Sequence, residues 1–107
     1  MPLNEVNEFD WKLFRKRIPE WQERHMGKLV NEYSAIIAGE GRASRKFWAL
    51  EERLRNDVKH VGVIAELKRS RMFHNLRCLL SENAITMDDL DGFSDELKQR
   101  LAFALTV

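Results

Sequence analysis

Apolar residues recur at steps of three and four along most of the chain, and no segment alternates apolar and polar positions as a half-buried strand would. The pattern predicts an all-α fold. A first helix is expected to begin near Asn7 or Phe9 and to present Trp11 and Phe14, with Leu13 beside them. It should stop at Ile18, because a residue preceding proline is pushed out of the helical region, and Pro19 suits the first turn of a second helix. That second helix, from about residue 19 to 38, lines up Met26, Leu29, Val30, Tyr33, Ile36 and Ile37 on one face and ends at Gly39-Glu40-Gly41. Ser44 is the expected N-cap of a third helix. Its residues Phe47, Leu50, Leu54, Val58 and Val61, spaced three, four, four and three, form the clearest core stripe in the sequence.

Beyond Val61 the helical phase changes. Val63, Ile64 and Leu67 fall on one side, Met72, Phe73, Leu76, Leu79 and Leu80 nearly opposite, with Lys68-Arg69-Ser70-Arg71 at the change. A single straight helix would bury two faces, so a break at the basic tetrapeptide is favoured, with Ser70 capping the new helix. Thr86-Met87-Asp88-Asp89 has capping-box spacing and predicts a short turn. Gly92 ends that turn, and Ser94 can cap a last helix. Asp95 and Glu96 complement its N-terminal dipole, while Leu97, Leu101, Ala104 and Leu105 dock it. The expected architecture is a compact single-domain bundle of about five helices over residues 1–107.

Composition narrows the function classes. At 107 residues and 44% hydrophobic content the chain suffices for one modest core, and charges interrupt every apolar run well before the roughly 20 residues of a bilayer span. The N-terminus lacks a secretory pattern, and the single cysteine, Cys78, has no internal disulfide partner, which points to a cytoplasmic setting. His74 and Cys78 are four apart, a spacing metal ligands use, but nothing completes a shell; the leucines around Cys78 argue equally against a thiol nucleophile. In Asp88-Asp89-Leu90-Asp91-Gly92 a calcium-loop register fails, because it would place Met87 and Lys98 at ligand positions. No cofactor, metal, small-molecule substrate or membrane partner is implied, and no catalytic arrangement emerges, so the expectation is a protein that is not an enzyme.

The net charge of +1 hides a polarity: residues 1–81 carry 16 Lys and Arg against 11 Asp and Glu, whereas residues 82–107 carry 2 against 6. Lys12, Arg15, Lys16 and Arg17 crowd around Trp11 and Phe14; further basic clusters fall at Arg42, Arg45 and Lys46, at Arg53, Arg55, Lys59 and His60, and at Lys68, Arg69 and Arg71. If folding aligned them beside a free aromatic, they would track a phosphate backbone. The candidate binding surface is therefore Trp11, Lys12, Arg15, Lys16, Arg45, Lys46, Lys68, Arg69 and Arg71. Against a nucleic-acid partner stand a near-neutral balance and the absence of helix-turn-helix or zinc-finger spacing. Trp11, Trp21 and Trp48 are expected in or beside the core; an exposed one would mark a protein interface.

The segments Phe9-Asp10-Trp11-Lys12-Leu13-Phe14, Ile18-Pro19-Glu20-Trp21-Gln22-Glu23-Arg24, Lys46-Phe47-Trp48-Ala49-Leu50-Glu51 and Phe93-Ser94-Asp95-Glu96-Leu97-Lys98 resemble a family of small, functionally uncharacterised helical proteins of gut Firmicutes and their mobile elements. Some of these carry a "multidrug transporter" label, which nothing in this sequence supports. The resemblance implies a bacterial accessory or regulatory protein and brings no catalytic residues. Because small mobile-element proteins include inhibitors of host defence, that role is a special case. The expected function is a nonenzymatic module that binds a protein or a copy of itself, with nucleic acid as the alternative partner.

Overall fold

The computed structural model describes residues 7–106, and no strand occurs among them. Four α-helices are joined in the order α1 (Glu8–Ala38), α2 (Ala43–Asp57), α3 (Met72–Ser81) and α4 (Asp95–Thr106), with 3-10 turns at Arg69–Arg71 and Met87–Leu90. The fold is all-α, with four helices where the periodicity suggested about five.

The difference lies at Pro19, which sits inside α1 and does not divide it. Asn7 caps this helix, its side-chain oxygen accepting from the amides of Phe9 at 2.8 Å and Asp10 at 3.3 Å. A proline in a helix interior costs about 3 kcal/mol through its missing N–H and its clash with the preceding turn. Trp11, Phe14, Ile18 and Trp21 form one buried stripe that runs straight through it, with Phe14 and Ile18 almost fully enclosed. Each such side chain contributes roughly 1.5–3 kcal/mol on burial, so keeping the stripe continuous outweighs the proline. Pro19 itself is solvent-exposed, where water can satisfy the freed carbonyl.

The second departure is shape. The molecule measures 58 × 24 × 22 Å, with a radius of gyration of 16.7 Å; a compact chain of this length would have about 13 Å. The expected compact bundle is instead a head with a projecting arm. In the head, the stripe of α1 packs against Met72, Leu76, Leu79 and Leu80 of α3 and Leu97 and Leu101 of α4, with Ile85, Leu90 and Phe93 between them. Trp21 stacks on Phe93 with centroids 6.2 Å apart. The arm is the distal half of α1 doubled back on α2 through residues 39–42.

The capping box holds as read: the Thr86 amide donates to the Asp89 carboxylate at 2.8 Å. Ser94 also acts as expected, its hydroxyl accepting from the Leu97 amide at 3.3 Å. Two other expected caps do not form. α2 starts one residue before Ser44 with no side-chain cap, and α3 starts at Met72 after a 3-10 turn containing Ser70. The break at the basic tetrapeptide is present, but α2 already ends at Asp57, so Val61, Val63, Ile64 and Leu67 lie in an irregular connection and not on a helix. Glu82 pins that connection to the head, accepting from the amides of Val61 at 3.0 Å and Gly62 at 3.2 Å. The Gln22 side chain donates to the Val61 carbonyl at 3.0 Å.

Candidate interaction surface

The basic residues singled out in the sequence do not converge. Lys12, Arg15, Lys16, Lys68, Arg69 and Arg71 belong to the head, whereas Arg45 and Lys46 sit at the far end of the arm, about 35 Å away along α1 at 1.5 Å per residue. Trp11 is no free platform for a base: it is buried and stacks with Phe14 at 6.1 Å. The guanidinium groups of Arg15 and Arg69 lie over its ring at 5.5 and 5.8 Å, and its indole N–H finds no acceptor. Several cations are held by neighbours. Arg69 pairs with Glu8 at 2.7 Å, and Lys68 with Glu66 at 2.8 Å. Arg53 pairs with Glu32 at 2.9 Å, and Arg55 with Glu51 at 3.4 Å.

Arg17 and Arg24, one of them in the basic cluster of the first helix, serve the fold. Arg17 donates to the carbonyls of Asp89, at 3.0 Å, and Asp91. Arg24 makes a two-pronged contact to the Asp89 carboxylate at 2.9 and 3.1 Å and reaches the Ala84 carbonyl at 3.2 Å. Partial burial pushes the Asp89 carboxyl up, but the Arg24 and Thr86 hydrogen bonds prevail and hold it below its ordinary value.

Cys78 Sγ lies 3.5 Å from His74 Nε2, yet burial, with the Glu82 carboxylate adding to it, pushes the thiol above its ordinary pKa and disfavours the thiolate. Among the described residues, no group of three or more His, Cys, Asp or Glu side chains is placed to hold a metal ion, and no helix is long and apolar enough to cross a membrane.

The feature the sequence misassigned is the arm. The stripe expected to be the best core segment is largely in solvent: Phe47 is 63% exposed, Leu54 42% and Val58 50%, Leu50 is partly covered, and Val61 alone packs against the core of the head. Trp48, expected in or beside the core, is 63% exposed and sits edge-on to Phe47 with centroids 5.1 Å apart. On α1, Val30 and Ile37 are each 57% exposed. Polar contacts join the arm's two helices beside the buried Leu29 and the half-buried Ile36 and Leu50. The Tyr33 hydroxyl donates to Asp57 Oδ2 at 2.6 Å, Arg53 bridges Glu32 and Asp57, and its guanidinium lies over the Tyr33 ring at 5.7 Å. Beyond Leu29 no apolar side chain of α1 is buried, and the one buried side chain of α2 is Asp57.

Helical phase explains the exposure. At 100° per residue, the α2 positions that meet α1 centre on Leu50, Arg53 and Asp57, and the apolar stripe Phe47, Leu50, Leu54, Val58 is rotated from them by about 80°. On α1, the positions meeting α2 centre on Leu29, Tyr33 and Ile36, and Met26, Val30, Tyr33 and Ile37 are rotated in the same sense by about 75°. Because the helices are antiparallel, equal rotations bring both stripes to the same side of the hairpin. The arm thus presents one two-helix-wide apolar face, with a shallow groove along Phe47, Leu50, Leu54 and Val58 edged by Glu51 and Arg55. The tight Gly39-Glu40-Gly41 connection, which forces antiparallel neighbours, was the available signal.

No family model, curated protein or solved structure matches the chain.

Proposed function

We propose that this chain is a nonenzymatic helical interaction module that works by binding a protein, or a copy of itself, through the apolar side of the α1–α2 arm. One observation carries the reading: the hairpin leaves Val30, Ile37, Phe47, Leu54 and Val58 in solvent along one side, with Trp48 exposed against Phe47 on the side turned away from α1. Contiguous apolar surface above a few hundred Å² is the usual mark of an interface, and an aromatic pair edged by charged residues is the usual composition of its centre. The family resemblance would make this module a cytoplasmic accessory or regulator of a bacterial mobile element, with inhibition of a host-defence protein as one form of that role. Nucleic acid is the weaker alternative, because the basic residues are split between head and arm tip and many are already paired.

The test compares the immobilised wild-type chain with Phe47→Glu/Leu54→Glu. A macromolecule retained by the wild type should be lost at least tenfold from the variant. Equal retention by both overturns the reading. So does retention of nucleic acid alone that falls steeply with salt and ignores the arm variant.

A further inference from the structure

His25 is the histidine that the fold encloses, and neither of its ring nitrogens meets a hydrogen-bond partner. It lies on α1 one helical turn from Trp21 of the head stripe and one from Leu29 at the root of the arm. Gly62 is pressed against the ring: a Cβ there would stand 2.4 Å from Cδ2 and 3.0 Å from Nε2. The segment carrying Gly62 follows α2, so this contact fastens the returning end of the arm to the head. Three hydrogen bonds share that task. Glu82 accepts from the Val61 and Gly62 amides with one carboxylate oxygen each, and the Gln22 side chain donates to the Val61 carbonyl.

We infer that this joint is a pH-sensitive latch, in which protonation of the buried His25 ring releases residues 61 and 62 from α1. The imidazolium carries a full charge and a second N–H donor, and in the closed joint it would have neither water nor an acceptor. Relief comes when the ring reaches solvent. Gly62 stands directly in the way, in an irregular connection held by a few polar bonds, so it is the part that yields.

The charged groups on the surrounding elements do not offer an alternative. Glu82, at the end of α3, has both oxygens engaged by the two amides, and turning either toward the imidazolium would free the same segment. Asp57, at the end of α2, is held by Tyr33 and Arg53, and Asp89 is held by Arg24. Arg24 and Lys28 beside His25 on α1, and Lys59 and His60 in the connection, are cationic or basic and favour the neutral ring. Imidazole is the side chain whose charge ordinarily changes between about pH 5 and 8. The latch is therefore closed at neutral pH and opens as the solution becomes acidic.

Amide hydrogen exchange of the full chain, expressed as protection relative to the intrinsic rate at each pH, tests the inference. Between about pH 7.5 and 5 the Val61 and Gly62 amides should lose protection by roughly tenfold, while the Leu76 and Leu79 amides of α3 keep theirs. The loss should follow the titration of the His25 ring protons in the same sample. His25→Gln, uncharged throughout, should abolish the pH dependence, and His60→Gln, at an exposed neighbour, should leave it in place.

Constant protection across this range overturns the inference, as does a loss that persists in His25→Gln or disappears in His60→Gln. A loss shared equally by the α3 amides would be unfolding of the whole head and overturns a local latch. So does a loss whose midpoint differs from that of the His25 ring; this comparison uses the wild type alone and decides even where His25→Gln does not fold.

Discussion

At the scale of single residues, the head depends on a few close polar and steric fits that sequence periodicity does not encode. Asp10 is almost fully buried, and its carboxylate accepts from the Ser94 amide at 2.8 Å and from the Ser94 hydroxyl at 2.6 Å, tying the start of α1 to the cap of α4. Removing the carboxylate leaves those donors unpaired in the interior. Asp10→Ala should cost about 2–4 kcal/mol in a urea melt, and Asp10→Asn less, since an amide oxygen can still accept one bond. A second fit joins head and arm. A Cβ added at Gly62 would stand 2.4 Å from Cδ2 of the His25 ring, a buried imidazole with no hydrogen-bond partner for either nitrogen. Gly62→Ala should therefore destabilise by about 1–3 kcal/mol, as overpacked sites do. In a double-mutant cycle, His25→Ala should remove most of that penalty; additive effects would show that the two residues do not meet.

At the scale of elements, the sequence was a good guide wherever one face of a helix meets the core. The stripes of α3 and the proximal half of α1, the Thr86 box and the Ser94 cap were all legible, because local spacing and capping chemistry decide them. It failed where a longer-range term outweighed a local one. Pro19 is a local stop signal overridden by burial of Ile18 and Trp21 on either side of it. Pro19→Ala should accordingly raise stability by up to about 3 kcal/mol, since it restores an N–H and relieves the ring clash without touching the buried stripe.

The hairpin itself can be probed through its phenol. Burial, followed by the hydrogen bond to Asp57, raises the Tyr33 pKa from 10.0 to about 12. The group prefers its protonated form when folded, so its contribution is complete below pH 10 and declines as pH rises from about 10 to 12. Tyr33 is the chain's single tyrosine, so tyrosinate absorbance reports it directly. The titration should be displaced upward in the folded protein and move back toward 10 in Asp57→Asn.

At the scale of the whole molecule, one helix belongs to two environments. The proximal half of α1 is clasped by α3 and α4, whereas its distal half, past Leu29, has only α2 and a set of polar contacts beside it. Periodicity could not distinguish these halves, because Phe47 and Leu54 have the same spacing whether an intramolecular or an intermolecular surface covers them. The stripe was visible in the sequence, but its exposure was not. Protection from hydrogen exchange should reveal the division, since amides open with free energies set by the apolar burial around them.

Protection should be high through Trp21 and fall beyond Leu29 and throughout α2, even though α1 is continuous. A partner docked on the apolar side of the arm would raise protection of the distal amides by at least tenfold, while the head amides stay unchanged. Uniform protection along α1 would mean that the arm already owes its order to the contacts between its own two helices. The apolar face would then be dispensable for folding and free to serve recognition alone.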